Sequence, residues 1–216
     1  MNLSYTTPAP LTADRRLVRK CITLVTTPDT IARAADPVLP EGYFFRMYRP
    51  GDMLEWARLM TVVEEFDSEE KGIEFFQREY LPYEDELKQR QVYICAPNGT
   101  PVATSMAWYF EENGVRYGRL HWVCTDPRHQ GKGLGRAVVT WAMKRIAELE
   151  PGLNVYLDTQ TWSHKALGLY MRLGFHPVRD THPVLRHANE YSAAAEILKD
   201  VLPEETYRMY IENSVE

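Results

Sequence analysis

The stretch from Gln130 to Arg136 reads Gln-Gly-Lys-Gly-Leu-Gly-Arg, with Gly131, Gly133 and Gly135 at alternate positions. Glycine loses more backbone freedom on folding than any other residue, so this density implies a need for bare backbone. A β-branched run precedes the stretch and a helix-patterned run follows it. A strand, a glycine loop and a helix start, in that order, make an anion site. The first turn of the helix offers unpaired amides, the aligned peptide dipoles add positive charge, and the missing Cβ atoms let phosphate oxygens come close. Lys132 and Arg136 would add charge-assisted hydrogen bonds. The chemistry implied is the grip of a phosphate-bearing ligand. A P-loop does not fit, because no hydroxyl follows Gly131-Lys132 to hold Mg²⁺. A dinucleotide fingerprint does not fit either, because the glycine spacing is too tight and the preceding strand belongs to a meander. A tight strand-to-helix turn without a ligand is the plain alternative.

Positioning this turn requires a sheet. Residues 91–125 contain two Asn-Gly pairs, Asn98-Gly99 and Asn113-Gly114, each flanked by strand-like runs. Asn-Gly is the strongest short hairpin signal, since both residues tolerate positive φ. Two consecutive hairpins predict a three-stranded antiparallel meander whose last strand, about 115–125, feeds into the glycine stretch. The spacing predicts a helix over about 134–148, with Leu134, Val138, Trp141, Ala142, Ile146 and Leu149 at helical intervals. A strand over 153–160 follows, then a helix that Ser163 caps and Gly174 closes. Upstream, 21–27 and 43–50 read as strands. Asp52 and Ser68 read as caps of two helices, the second ended by Pro82. Residues 28–42 read as loop with a helical turn, 187–202 as a helix and 205–212 as a final strand. The order predicts an α+β (mixed α/β) domain, with a single central, mostly antiparallel sheet flanked by helices. Residues 1–40 form an N-terminal extension with room for an extra strand, 41–180 the main domain, and 181–216 a helix and strand that complete the domain or an oligomer contact.

The chain has 216 residues, 44% hydrophobic and 25% charged, which is globular composition. Its net charge of −5 argues against nucleic acid as a partner and leans toward a cationic or amine substrate. Cys21, Cys95 and Cys124 are far apart and read as free thiols of a reducing compartment. No ligand cluster supports His182 and His187 as a metal site, so none is expected. The sequence has no apolar run of membrane-spanning length and no signal-peptide pattern at its start. The expectation is a cytoplasmic protein without membrane contact.

Gln130-Gly131-Lys132-Gly133-Leu134-Gly135 resembles the Q/R-x-x-G-x-G/A motif of the GNAT superfamily of N-acyltransferases. Asp126-Pro127 precedes it as is common there. Leu167 to Phe175, LGLYMRLGF, is similar to the family's LYxxxGF helix. Both motifs fall in the family's order, and the likeness covers roughly residues 43–180.

The resemblance implies a GNAT-like acyl-CoA N-acyltransferase fold with acetyl-CoA as co-substrate and no metal. Its pantetheine arm would pair with the backbone of Val123, Cys124 and Thr125, where the last meander strand splays from its neighbour. Its diphosphate would sit on Gly131 to Arg136. Ser163 stands where many members have an asparagine that touches the cofactor. Tyr170 matches the usual proton donor to the departing thiolate; a phenol of pKa about 10 can hydrogen-bond or protonate the departing sulfur, whose thiol has a pKa of about 8.5. Arg119 stands where many members carry a glutamate base. His121, two residues on, is a candidate base near neutral pH, and Asp158 matches a carboxylate that serves as base in some members. A water chain to a remote carboxylate is the third possibility. Cys124 is not expected to be a covalent nucleophile, because no His or Lys is placed to lower its pKa.

The function expected is direct acetyl transfer to a primary amine of a small molecule or peptide. The alternatives are a non-catalytic acyl-CoA-binding module and another phosphate-ligand enzyme. The acids Glu64, Glu65, Asp67, Glu69 and Glu70 read as a solvated helix end, with an acidic rim for a cationic amine as the sharper reading. A homodimer is compatible with the tail.

Overall fold

A computed structural model describes residues 14–179 and 189–216. Seven strands form one sheet in the order β2-β3-β4-β5-β6-β1-β7. The strands are β1 (Cys21–Thr26), β2 (Phe44–Met47), β3 (Gln91–Cys95), β4 (Pro101–Glu112), β5 (Val115–Thr125), β6 (Val155–Gln160) and β7 (His176–Pro177). All neighbours are antiparallel except β5 and β6, which run parallel. Among the described residues eight helices flank the sheet: α1 (Pro28–Ala32), α2 (Met53–Val62), α3 (Glu69–Glu79), α4 (Glu84–Arg90), α5 (Leu134–Leu149), α6 (His164–Arg172), α7 (Tyr191–Leu198) and α8 (Glu204–Glu212).

Two cores lie on opposite faces. On one, α5 and α6 bury Leu134, Val138, Ala142, Ile146 and Leu167 against Ile22, Leu24, Val92, Leu120 and Leu157. On the other, α2 and α3 bury Trp56, Leu59, Met60 and Phe76 against Tyr93, Met106 and Cys124. Burial of such side chains contributes about 1.5–3 kcal/mol each, so the four-residue spacing on α5 is what fixes that helix against the sheet.

The meander forms as its turns predict, with one difference. At Asn113-Gly114 both residues adopt positive φ, 51° and 77°. At Asn98-Gly99 only Gly99 does, at 86°. There Asn98 Oδ1 instead accepts from the Thr100 amide at 3.1 Å, and the longer loop closes through Gly99 N to Ala96 O.

The extra strand for which residues 1–40 have room is present as β1, between β6 and β7. Three expectations are corrected. The segment expected as a final strand is helix α8. Its fully packed side chains, Thr206 and Tyr210, are four apart, and the chain returns to the sheet only as a single bridge between Val215 and Val178. Asp52 makes no cap bond to α2. The two-pronged guanidinium of Arg46 holds its carboxylate at 2.7 and 3.0 Å, and the Arg49 amide donates to it at 2.6 Å. Ser163 likewise makes no capping bond to α6, because its φ and ψ of −95° and 31° lie outside the extended geometry a cap needs. Ser68 does cap α3, accepting from the Lys71 amide at 3.4 Å. His182 and His187 fall outside the described residues.

Candidate active site

The sheet splits between β5 and β6. Their pairing is confined to Gly118 with Val155 and Arg119 with Tyr156. Beyond that step β5 continues from Leu120 to Thr125 and β6 from Leu157 to Gln160, without pairing. Gly118 belongs at the apex, because a Cβ there would come within 2.9 Å of Val155 Cγ2 and 3.0 Å of Ile146 Cγ2. Arg119 Nη2 donates to Asp158 Oδ2 at 3.0 Å and so ties the two strands at the split. Thr23 on β1 donates to the other oxygen of Asp158 at 3.2 Å.

β5 is bulged just past the split. Between the pairs His121–Met106 and Cys124–Thr104, two residues of β5 oppose Ser105 alone. The bulge is built on Trp122, whose φ of 50° is rare for a bulky side chain. Such strain costs on the order of 1–3 kcal/mol and persists only where packing over-determines it. Here the Trp122 ring packs at 5.1 Å from Trp56 and 5.4 Å from Phe75. Its indole N–H donates to Tyr80 Oη at 2.6 Å, and the same Oη lies 2.9 Å from His121 Nδ1. The bulge therefore sets His121 and Trp122, neighbours in sequence, beside one phenol on α3's C-cap. Burial, and then the Arg119 charge, push the His121 pKa well below its usual value, so the ring is neutral near pH 7.

Tyr170 comes from α6 and is 6% exposed. Burial pushes its phenol pKa up strongly, and the thiol of Cys124 and the carboxyl of Glu65 add to the shift. The Tyr170 hydroxyl hydrogen-bonds to none of the described residues, and it keeps its proton at neutral pH. Burial pushes the Cys124 thiol up to about 12, which keeps it protonated near neutral pH.

The glycine turn leads from the end of β5 into α5. Asp126 is 1% exposed and organises the entry, accepting from the Arg128 amide at 3.0 Å and from its guanidinium at 2.6 Å. Gly131 and Gly133 take φ of 74° and 82°, and a Cβ on either would meet nothing within 4 Å. The space above them is open. Ala137 N, donating to Gly133 O, is the first α5 amide bonded in the helical manner; those of Leu134, Gly135 and Arg136 precede it. The donor set and the open cradle fit a diphosphate. Gln130 serves the turn differently, its amide donating to Thr125 O at 3.1 Å and tying the loop back to β5. Lys132 leans on Tyr43, with Nζ 3.0 Å from its hydroxyl. A groove of about 830 Å³ opens beside the turn, with Arg33, Lys132, Arg136 and Arg172 on its walls.

The structure thus brings His121, Asp158, Val123, Cys124 and Thr125 to the split and Gln130 to Arg136 to its end. Ser163 sits on the 3₁₀ turn between β6 and α6. Sequence reasoning passed over Tyr80, 41 residues from His121, and Arg15. Arg15 lies 3.9 Å above the Trp162 ring and donates to Glu64 O at 2.5 Å. It also lies 3.6 Å from the Glu65 carboxylate, so Glu64 and Glu65 are not merely solvated. No local pattern marks either residue, because both act over long sequence separations.

The model of the GNAT acetyltransferase family matches residues 53–175, and the chain belongs to that family. Among solved structures it is similar to a GCN5-related N-acetyltransferase from Sphaerobacter thermophilus, at 23% identity and a TM-score of 0.56, over 74% of this chain and 49% of that one. It is also similar to a tandem GNAT protein from the clavulanic acid biosynthesis pathway, at 14% identity and a TM-score of 0.57, over 74% and 50%. A GNAT-family acetyltransferase from Colwellia psychrerythraea matches at 14% identity and a TM-score of 0.55, over 74% and 54%. At these identities the likeness is one of fold, and the chain spans about half the length of these structures. No curated protein matches its sequence. Among the described residues no helix is long and apolar enough to cross a membrane, and no group of three acidic, His or Cys side chains could hold a metal ion.

Proposed function

We propose that the protein is an N-acetyltransferase that moves the acetyl group of acetyl-CoA directly to a primary amine of a small molecule or peptide. The observation that carries this reading is the split between β5 and β6, with open amides at its far end and the Tyr170 phenol beside it. Acetyl-CoA supplies an activated acyl thioester. The amides of Gly131 to Arg136 receive its diphosphate, with Lys132 and Arg136 adding charge. The unpaired edge of β5 at Val123, Cys124 and Thr125 receives its pantetheine arm as a strand would be received, with Ser163, on the turn after β6, as a further contact.

Tyr170 holds a proton for the departing thiolate, and its burial keeps the phenol neutral until then. Asp158 is the carboxylate at the split toward which the amine's proton can leave, directly or through water. His121 is the other titratable group there and hydrogen-bonds the reacting centre as a neutral imidazole. Bound together, these groups act by orientation and charge stabilisation rather than through a covalent enzyme intermediate. The four cations around the adjoining groove suit a phosphorylated nucleotide end.

The test is calorimetry with acetyl-CoA, ATP and NAD, followed by an amine panel read by release of free thiol. Acetyl-CoA binding with thiol release on a primary amine supports the reading. NAD binding without CoA binding sinks it. Tight acetyl-CoA binding with silence across the panel favours a non-catalytic acyl-CoA-binding module.

A further inference from the structure

The Trp122–Tyr80–His121 chain carries more than a place for a base. An indole nitrogen only donates, so Tyr80 Oη is the acceptor in its 2.6 Å bond to Trp122 Nε1. The phenol's own proton can then be given to His121 Nδ1, 2.9 Å away. A neutral imidazole whose Nδ1 accepts must carry its hydrogen on Nε2. Nε2 bonds to none of the described residues and is not among the sealed polar atoms of the interior. The groups around the ring agree with a neutral state: Arg119 is a cation on the same strand, Tyr80 faces it from the C-cap of α3, and the Asp158 carboxylate on β6 is paired with Arg119 rather than with the ring.

Position then gives the nitrogen its task. An arm that starts at the glycine turn and runs back along Thr125 to Val123 brings its thioester to the level of Trp122 and His121. Resting on the acetyl-transfer reading above, we infer that His121 is a hydrogen-bond donor to the reacting acyl carbonyl through Nε2–H, with Tyr80 and Trp122 as positioning residues. As the amine nitrogen adds to the carbonyl carbon, negative charge builds on its oxygen and the Nε2–H bond to it strengthens. No proton leaves His121, and the oxygen's charge returns to the carbonyl when the C–S bond breaks. The strained bulge at Trp122 finds its use here, since it places the indole donor and the imidazole against one phenol.

Three measurements decide this. First, ¹⁵N NMR of the full chain at pH 7 is expected to show His121 neutral with hydrogen on Nε2; the Nδ1–H form or an imidazolium overturns the inference. Second, His121→Gln keeps a side-chain N–H donor but is no base. It is expected to retain activity within about tenfold, whereas His121→Ala falls by about 10²–10³ in kcat, the usual loss of one such donor. Equal losses in the two variants refute the donor role. Third, Tyr80→Phe is expected to mix the two tautomers and lower kcat while KM for acetyl-CoA holds; an unchanged ¹⁵N pattern rejects Tyr80 as the positioning residue. A wild type that releases no thiol on any amine, with Nε2–H still observed, removes the acetyl-transfer reading and the catalytic role with it. The tautomer finding alone would then stand.

Discussion

Arg119 donates to Asp158 at 3.0 Å, joining β5 to β6 at the step where their pairing ends. The ion pair therefore pins the apex of the cleft, and its cation also faces His121. Arg119→Gln removes a positive charge that disfavours imidazolium, so the His121 pKa is expected to rise. The protonated fraction at pH 6–7 rises with it, read by NMR titration. Both partners are partly exposed, so the stability loss is expected to stay near 1 kcal/mol. A His121 titration identical to wild type would remove Arg119 from the electrostatics of the site.

Tyr170 is expected to matter for turnover rather than for binding. Tyr170→Phe keeps the ring that packs against Phe175 and removes only the hydroxyl. The expected result is a kcat lower by roughly 10- to 1000-fold, on the order of general-acid effects, with KM for acetyl-CoA unchanged. Because burial raises the phenol's pKa, Tyr170 stays protonated well past neutrality. Loss of activity between pH 7 and 9 is therefore not expected to come from its ionisation. Unchanged turnover in the phenylalanine variant would take Tyr170 out of the chemistry.

Asp126 makes an acid-dependent contribution. Burial works to raise its pKa, but the guanidinium and the amide of Arg128 outweigh it and the net shift is downward. A lowered folded-state pKa gives stability that is present above the unfolded value of about 3.9 and is lost as pH falls through the folded value. Asp126→Asn is expected to cost about 1–2 kcal/mol at pH 7, since its main partner is half exposed. The gap between variant and wild type should narrow as pH falls below the unfolded value of about 3.9. Urea midpoints at pH 7 and pH 3 measure it, and a gap that persists in acid would show that the carboxylate's charge is not what matters.

Local signals made much of this site legible. Asn113-Gly114 fixed the turn between β4 and β5, the Gly131–Gly135 spacing marked the open turn that leads into α5, and the apolar rhythm from Leu134 marked α5. What stayed hidden depends on contacts between distant segments. The place of β1 inside the sheet rests on pairing Cys21–Thr26 with residues 155–160, which no local pattern encodes. The bulge at Trp122 is a mismatch in count between two strands and leaves no mark in either. Residues 205–212 were misread because Tyr207, Met209 and Ile211 alternate. Pro203 followed by Glu204 and Glu205, the signal of a helix start, was the better guide. Asp52 has the residue type of a cap, yet Arg46, on a strand six residues earlier, claims its carboxylate.

The glycine turn before α5 allows a test that separates backbone strain from ligand contact. Gly133 and Gly152 have nearly the same left-handed φ, 82° and 80°, and a Cβ on either meets nothing within 4 Å. Gly133 opens α5 and Gly152 lies just past its other end. Alanine at each is expected to cost a similar 1–2 kcal/mol of backbone strain, lowering Tm by a few degrees for a chain of this size. Only at Gly133 does the new methyl group stand over amides proposed to hold a diphosphate. Gly133→Ala is therefore expected to weaken acetyl-CoA binding at least about tenfold, or about 1.4 kcal/mol, whereas Gly152→Ala leaves it unchanged. Calorimetric titration of the two variants side by side decides the matter. Equal affinities would mean that the glycines serve only the turn, and that the diphosphate, if one binds, is held elsewhere.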